Sequence, residues 1–217
     1  MKKTSPCTKR AFTLIEILVV IGIIVMLVGF STSMVKTAMS AQGKARAMSD
    51  IEVISNAIEE FRSIYGDYPR ISCASDEKLS AAQLYQCLTG RMYMTVQNDE
   101  IVFLTLPPTA ARRPLIDASK MNLGNAQGQY GPGVDTENEN TFFADPWGEP
   151  YLYFFNTNLR PGATSAWRSP SFMLLSKGPD SKAVPVESLY IDGVMRDMEQ
   201  YRAKDENVDN IVRGMDN

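Results

Sequence analysis

An apolar segment near the start of the chain constrains its fold more than any other feature. Across residues 12–30 the only polar side chains are those of Thr13 and Glu16, and residues 17–30 contain none. Extended to residue 35, the segment has the roughly 20 residues that a helix needs to cross a bilayer. The sequence therefore predicts a membrane-spanning helix over residues 12–35.

The flanking charges predict how this segment is oriented. Residues 1–11 contain four lysines and arginines and no acid, which predicts a cytoplasmic N-terminus and a body outside the inner membrane. A secretory signal peptide and a plain signal anchor share this basic start. However, the apolar run is longer than a usual signal core. A plain anchor also has no use for Glu16, because an acid inside a membrane is costly and usually marks function.

Composition excludes several classes of site. The chain has no histidine, which rules out Ser/His/Asp and Cys/His catalytic sets and histidine-dependent zinc sites. Once the four basic residues of the first eleven are removed, 18 basic residues face 25 acidic ones, a net charge of −7. We therefore expect no nucleic-acid partner. Of the three cysteines, Cys7 lies in the basic leader. Cys73 and Cys87 are either a disulfide of an exported domain or two unrelated thiols.

Residues 9–16 (KRAFTLIE) resemble the processing site of type IV pilins and type II secretion pseudopilins. The resemblance implies that a prepilin peptidase cuts between Ala11 and Phe12 and that the new N-terminus at Phe12 is methylated. Ala11 stands where the family usually has glycine. The resemblance also implies that Glu16 pairs with the Phe12 α-amine of a neighbouring subunit. Such a pair would set the axial register, because an unpaired buried charge is costly.

The helix is expected to continue beyond the membrane over residues 36–66. Asp50, Glu52, Glu59 and other polar residues are expected on its remaining faces, and a generic coiled coil is the alternative. Gly66 and Pro69 predict where the helix ends. The expected buried face has the 4-3-4-3-4 spacing of one side of a helix, and consists of Ala47, Ile51, Ile54, Ile58, Phe61 and Tyr65.

Residues 67–217 are predicted to form an extracytoplasmic globular domain. A short helix is expected over residues 76–90, strands near residues 151–155 and 171–176, and tight turns at 145–148 and 177–180. Residues 107–140 are rich in Pro, Gly, Asn and Gln and predict a long surface excursion. Its central stretch is expected to be mobile, with a subunit contact as the alternative.

The DPWG turn, the following strand, the S-x-G-x-D motif and the closing DNIV are similar to the major pseudopilins of type II secretion. The resemblance implies a pilin-like α+β fold, in which a long N-terminal helix packs on a small antiparallel sheet. In that family the loop after S-x-G-x-D binds calcium. Asp180, Glu187 and Asp192 are the candidate ligands here, and a solvated acidic turn is the alternative.

The expected function is that of a structural subunit without catalytic activity and with no required cofactor. The resemblance implies a homopolymer built through the N-terminal helices. Its further partners would be the prepilin peptidase, an inner-membrane assembly platform and minor pseudopilins. The alternative is a membrane-anchored binding or sensor module that never polymerises. Whether the filament is a pseudopilus or a true pilus stays open.

Overall fold

The computed structural model describes residues 13–71, 76–97, 100–155, 172–183, 190–191, 194–195 and 198–213. Within them the fold is α+β, with three α-helices and small antiparallel sheets. The chain divides into two compact units, Met1–Gln42 and Gly43–Asn217, and each is described by itself. The helices are α1 (Leu14–Tyr65), α2 (Glu77–Leu88) and α3 (Met198–Arg202).

The strands form hairpins and one three-stranded sheet. β1 pairs with β2, β3 with β4, β7 with β8, and β6 lies between β5 and β9, all antiparallel. Their bounds are β1 Met92–Gln97, β2 Glu100–Thr105, β3 Leu123–Asn125, β4 Thr141–Phe143, β5 Leu152–Phe155, β6 Phe172–Ser176, β7 Tyr190–Ile191, β8 Val194–Met195 and β9 Ile211–Arg213.

Helix α1 ends where its sequence predicts. The last helical residue is Tyr65, and Gly66 follows with φ 84°, a left-handed conformation that glycine adopts without a steric cost. The Gly66 amide donates to the Arg62 carbonyl oxygen at 2.8 Å, which satisfies one of the helix's last carbonyls.

The predicted apolar face of α1 is confirmed within the second unit. Its members from Ala47 to Phe61 are at most 3% exposed, and Tyr65 is half-buried beside them. Together with aromatic residues of β5 and β6, such as Tyr153 and Phe172, they form one hydrophobic core. Each large apolar side chain buried there stabilises the fold by about 1.5–3 kcal/mol.

Asp50 contradicts the expectation that it lies on a polar face. It is 3% exposed, because it borders the buried stripe one turn before Ile54. Its charge is compensated there by the Arg46 guanidinium, at 3.0 Å, and by the Tyr151 hydroxyl, at 3.3 Å. A partnered carboxylate can therefore occupy a position that the sequence pattern assigns to solvent.

Helix α2 confirms the second predicted helix. The Asp76 side chain caps it by accepting hydrogen bonds from the amides of Lys78 and Leu79, at 2.9 and 3.2 Å. The expected inner side, which includes Leu84 and Leu88, is buried. The helix thereby adds a second layer to the core.

Residues 107–140 are not a surface excursion throughout, as the sequence suggested. Strand β3 lies within them and pairs with β4, so that Leu123 faces Phe143. The side chains of Ile116, Leu123 and Val134 belong to the hydrophobic core. Apolar residues spaced this widely give no periodic signal, which is why the composition of the segment was misleading.

Candidate functional site

The described part of α1 in the first unit presents an apolar helix surface. From Leu14 to Leu27 the large apolar side chains are between 49% and 83% exposed, with Glu16 as the one charged residue. They follow one another in sequence and so cover all sides of the helix. An apolar surface of this extent marks a contact with another protein or with lipid. Among the described residues, no helix meets the combined length and hydropathy needed for a membrane crossing.

Glu16 has a local partner in the structure. The Glu16 carboxylate accepts hydrogen bonds from the Thr13 amide at 3.0 Å and from the Thr13 hydroxyl at 2.8 Å. In return, the Glu16 amide donates to the Thr13 hydroxyl oxygen at 3.4 Å. This reciprocal arrangement is a capping box, which satisfies amides at the start of the helix. Glu16 therefore caps its own helix, and its pairing with a neighbouring subunit stays a prediction.

The predicted processing residues, Ala11 and Phe12, lie outside the described residues. Cleavage between them and methylation of Phe12 stay predictions. The structure does place Thr13 immediately before the first helical residue, Leu14. A new N-terminus at Phe12 would therefore lie one residue before the helix cap.

The DPWG motif forms the predicted turn. The Gly148 amide donates to the Asp145 carbonyl oxygen at 3.0 Å, and Gly148 has φ 93°. Asp145 is fully buried, and its Oδ1 accepts hydrogen bonds from the amides of Trp147 and Glu149, both at 3.0 Å. Its Oδ2 accepts from the Ser176 hydroxyl at 2.6 Å, which ties the turn to β6. Burial raises the pKa of Asp145, while these donors oppose the shift.

Trp147 connects this turn to the beginning of the second unit. Its indole lies against α1 at Gly43, so closely that a β-carbon there would be 2.9 Å from Cζ2 of the ring. Only a residue without a side chain leaves room for this contact. Arg46, one turn later, donates from Nη2 to the Lys120 carbonyl oxygen at 2.7 Å. The turn and the β3 region are thus both attached to the helix near its entry into this unit.

The turn after β6 is also formed as predicted. Gly178 has φ 72°, and the Ser181 amide donates to its carbonyl oxygen at 3.3 Å. A β-carbon on Gly178 would lie 2.7 Å from the Asp209 carbonyl oxygen, so the chain before β9 packs directly on this glycine. Lys177 extends from the same turn to Glu77, at 2.6 Å between Nζ and Oε2, at the start of α2.

Among the described residues, no group of carboxylates comes together in this turn as a calcium site would require. Asp180 is exposed, and its Oδ1 accepts a hydrogen bond from the Lys182 amide at 2.9 Å. The other two candidate ligands, Glu187 and Asp192, lie outside the described residues. Within the part of the chain that is described, no three His, Cys, Asp or Glu residues gather as a metal site would require. The turn instead surrounds the side-chain amide of Asn210, a residue with no predicted role.

Cys87 is a free thiol on α2 and is 1% exposed. Burial in the core raises the pKa of its thiol to about 12, so the reactive thiolate is scarce at neutral pH. Its proposed disulfide partner, Cys73, lies outside the described residues. The pairing of the two cysteines stays a prediction.

Comparison of the chain with protein-family models, with curated proteins and with solved structures gives no match.

Proposed function

We propose that this chain is a pilin-like subunit of the pseudopilin type. It is cut between Ala11 and Phe12, methylated at Phe12, and polymerises through α1 into a type II secretion pseudopilus or a related type IV-like filament. It performs no catalysis. Before assembly it resides in the inner membrane with its globular unit in the periplasm.

The observation that supports this proposal is the contrast between the two parts of α1. Residues 14–27 expose apolar side chains on every side of the helix, whereas residues 47–61 of the same helix bury one apolar face, from Ala47 to Phe61, in a domain core. In water the exposed part would be unfavourable, at about 25 cal/mol for each Å² of apolar surface. Lipid before assembly and neighbouring helices after assembly would both cover it.

The capping box at Thr13 and Glu16 gives the acid two possible contributions to assembly. As a cap, the carboxylate accepts hydrogen bonds from the Thr13 amide and hydroxyl and so stabilises the start of its own helix. As a charge, it pairs with the α-amine that cleavage creates at Phe12 of a neighbouring subunit. Glutamine is accepted at this position of a capping box but carries no charge. The substitution Glu16→Gln therefore keeps the cap and removes the charge.

Processing is tested by intact mass and N-terminal sequencing of the full chain extracted from membranes. The expected product begins at Phe12 and carries one added methyl group. A chain that retains residues 1–11 would indicate a signal anchor, and hence a tethered binding or sensor module. A product cut elsewhere would indicate an ordinary signal peptide.

The assembly role is tested with Glu16→Gln and Glu16→Ala, measured as filament yield and as inter-subunit crosslinking in membranes. If the charge is needed, both variants insert and are cleaved but fail to assemble. Assembly of Glu16→Gln at wild-type yield would limit Glu16 to capping. Assembly of both variants at wild-type yield would remove the residue from the mechanism. Glu60→Gln, at an exposed position of the second unit, is the matched control for loss of one charge.

A further inference from the structure

The chain between Ser176 and Lys182 closes around the side chain of Asn210. One atom of the Asn210 amide lies 2.7 Å from the Lys177 carbonyl oxygen and 2.9 Å from the Lys182 carbonyl oxygen. The other amide atom lies 2.7 Å from the Tyr201 hydroxyl oxygen. Asn210 is 3% exposed and Tyr201 is fully buried. Water therefore cannot substitute freely for these contacts.

The neighbours determine which amide atom faces the turn. Carbonyl oxygens only accept hydrogen bonds, so the atom between Lys177 and Lys182 satisfies both when it is the nitrogen. The Tyr201 hydroxyl then donates to the amide oxygen. One contact, 3.2 Å between this oxygen and Oδ1 of Asn207, is left unfavourable. The repulsion across this contact is weaker than that of the two oxygen–oxygen contacts, at 2.7 and 2.9 Å, which the opposite orientation would create.

We propose that the Asn210 amide holds this turn closed in place of a cation. Two backbone carbonyls that converge on one point are satisfied by a hydrogen-bond donor or by a cation placed between them. In this chain the amide carries two N–H groups and has two carbonyls before it. The turn then keeps its shape without metal. The inference concerns the fold of the second unit and holds whether or not the chain polymerises.

The charges at the site favour the amide over calcium. Calcium takes about six to eight oxygens, and its affinity rises with the charge of the ligands. Among the described residues, the three groups that contact the Asn210 amide are neutral. Two carboxylates lie near the turn: Asp180 accepts from the Lys182 amide, and Oδ2 of Asp209 would be 3.1 Å from a β-carbon on Gly178. A metal bound only by neutral oxygens would be held weakly. The hydrogen bonds of the buried Asn210 amide need no bound ion, and removing one of their partners is costly.

The test compares thermal unfolding of the full-length protein in detergent, with a calcium chelator and with excess calcium chloride. Wild type is expected to unfold at the same temperature in both. Asn210→Asp places a carboxylate against two carbonyls and should lower the Tm by about 5–10 °C in chelator. Calcium chloride should restore part of that loss, because the substitution adds one charged ligand to the two carbonyl oxygens. Asn56→Asp, at an exposed position of α1, is the control for the added charge.

Two results would overturn the proposal. One is a wild-type Tm that rises in calcium chloride and falls in chelator, since the turn would then bind a metal already. The other is an Asn210→Asp variant as stable in chelator as wild type, since the amide would then hold nothing. If Asn210→Asp does not fold in chelator, its yield of folded protein in calcium chloride is measured instead. Failure to fold in both conditions would also count against a created calcium site.

Discussion

The hydroxyl of Tyr151 donates a hydrogen bond to Oδ2 of Asp50 at 3.3 Å, in the interior of the second unit. The two residues are 101 positions apart in the sequence, one on α1 and the other next to β5. Asp50 also pairs with Arg46, whose side chain is half exposed. A buried carboxylate with both a charged and a neutral partner thus fastens the helix to the sheet.

Tyr151→Phe should destabilise the second unit by about 1–3 kcal/mol, because it removes a hydroxyl donor from a buried carboxylate, whose Oδ2 then keeps only Arg46 Nε, at 3.3 Å. Chemical unfolding of the detergent-solubilised chain measures the change. Tyr130→Phe removes a hydroxyl from a residue that is 45% exposed and should have little effect. Equal losses in the two variants would mean that the contact with Asp50 contributes nothing specific.

Asp50 should make stability depend on pH in a defined direction. Burial raises its pKa above the ordinary value of 3.8, although Arg46 and Tyr151 oppose the shift. The folded state therefore binds the proton more tightly than the unfolded state. The resulting stabilisation is present below pH 3.8 and is lost as the pH rises through the folded pKa.

The comparison of wild type with Asp50→Asn tests this direction. As the pH falls from 7 to 4, the Tm of wild type should rise relative to that of the variant, because the asparagine side chain does not bind a proton. Glu60→Gln removes one acid from an exposed position and should run parallel to wild type. A difference between wild type and Asp50→Asn that is constant with pH would contradict the raised pKa.

Gly43 and Trp147 should behave as a coupled pair. Gly→Ala inside a helix normally stabilises by about 1 kcal/mol. At Gly43 the new β-carbon would lie 2.9 Å from the indole, so we expect Gly43→Ala to destabilise instead. In a Trp147→Ala background the same change should become stabilising. The double-mutant cycle should give a coupling of about 1 kcal/mol or more, and independent effects would refute the contact.

Cys87 should resist thiol reagents in the folded protein, because its pKa is about 12 and it is buried. In a chain with Cys7→Ser and Cys73→Ser, maleimide labelling at pH 8 should be slow and should follow unfolding. An added surface cysteine, Ser63→Cys, at an exposed position of α1, gives the unhindered rate. Labelling of Cys87 at a similar rate would show that the α2 region opens readily.

The predictable parts of this fold are those with local, periodic signals. Gly66 fixes the end of α1, and the stripe from Ala47 to Phe61 identifies the face that enters the core. Asp145 with Gly148 specifies the tight turn. In each case the physical cause lies within a few residues of the effect, so a single sequence is enough to find it.

The missed parts depend on distant partners. Asp50 is buried because Tyr151 reaches it, and Asn210 is enclosed because two carbonyls of another segment converge on it. Strand β3 owes its place to β4 across a segment that looked like a loop. A spacing rule contains no information about contacts between residues this far apart in the sequence. Asp and Asn are usually exposed, so residue type does not predict that Asp50 and Asn210 are buried.

The pairing of β9 with β6 has a consequence for biosynthesis. Arg213 of β9 also forms an ion pair with Glu52 of α1, at 3.1 Å and 161 positions away in the sequence. The sheet therefore lacks its edge strand β9 until residue 213 has left the ribosome and, in an exported chain, has crossed the membrane. Until that moment β6 exposes one row of unpaired backbone groups, which makes the growing chain a natural client for chaperones.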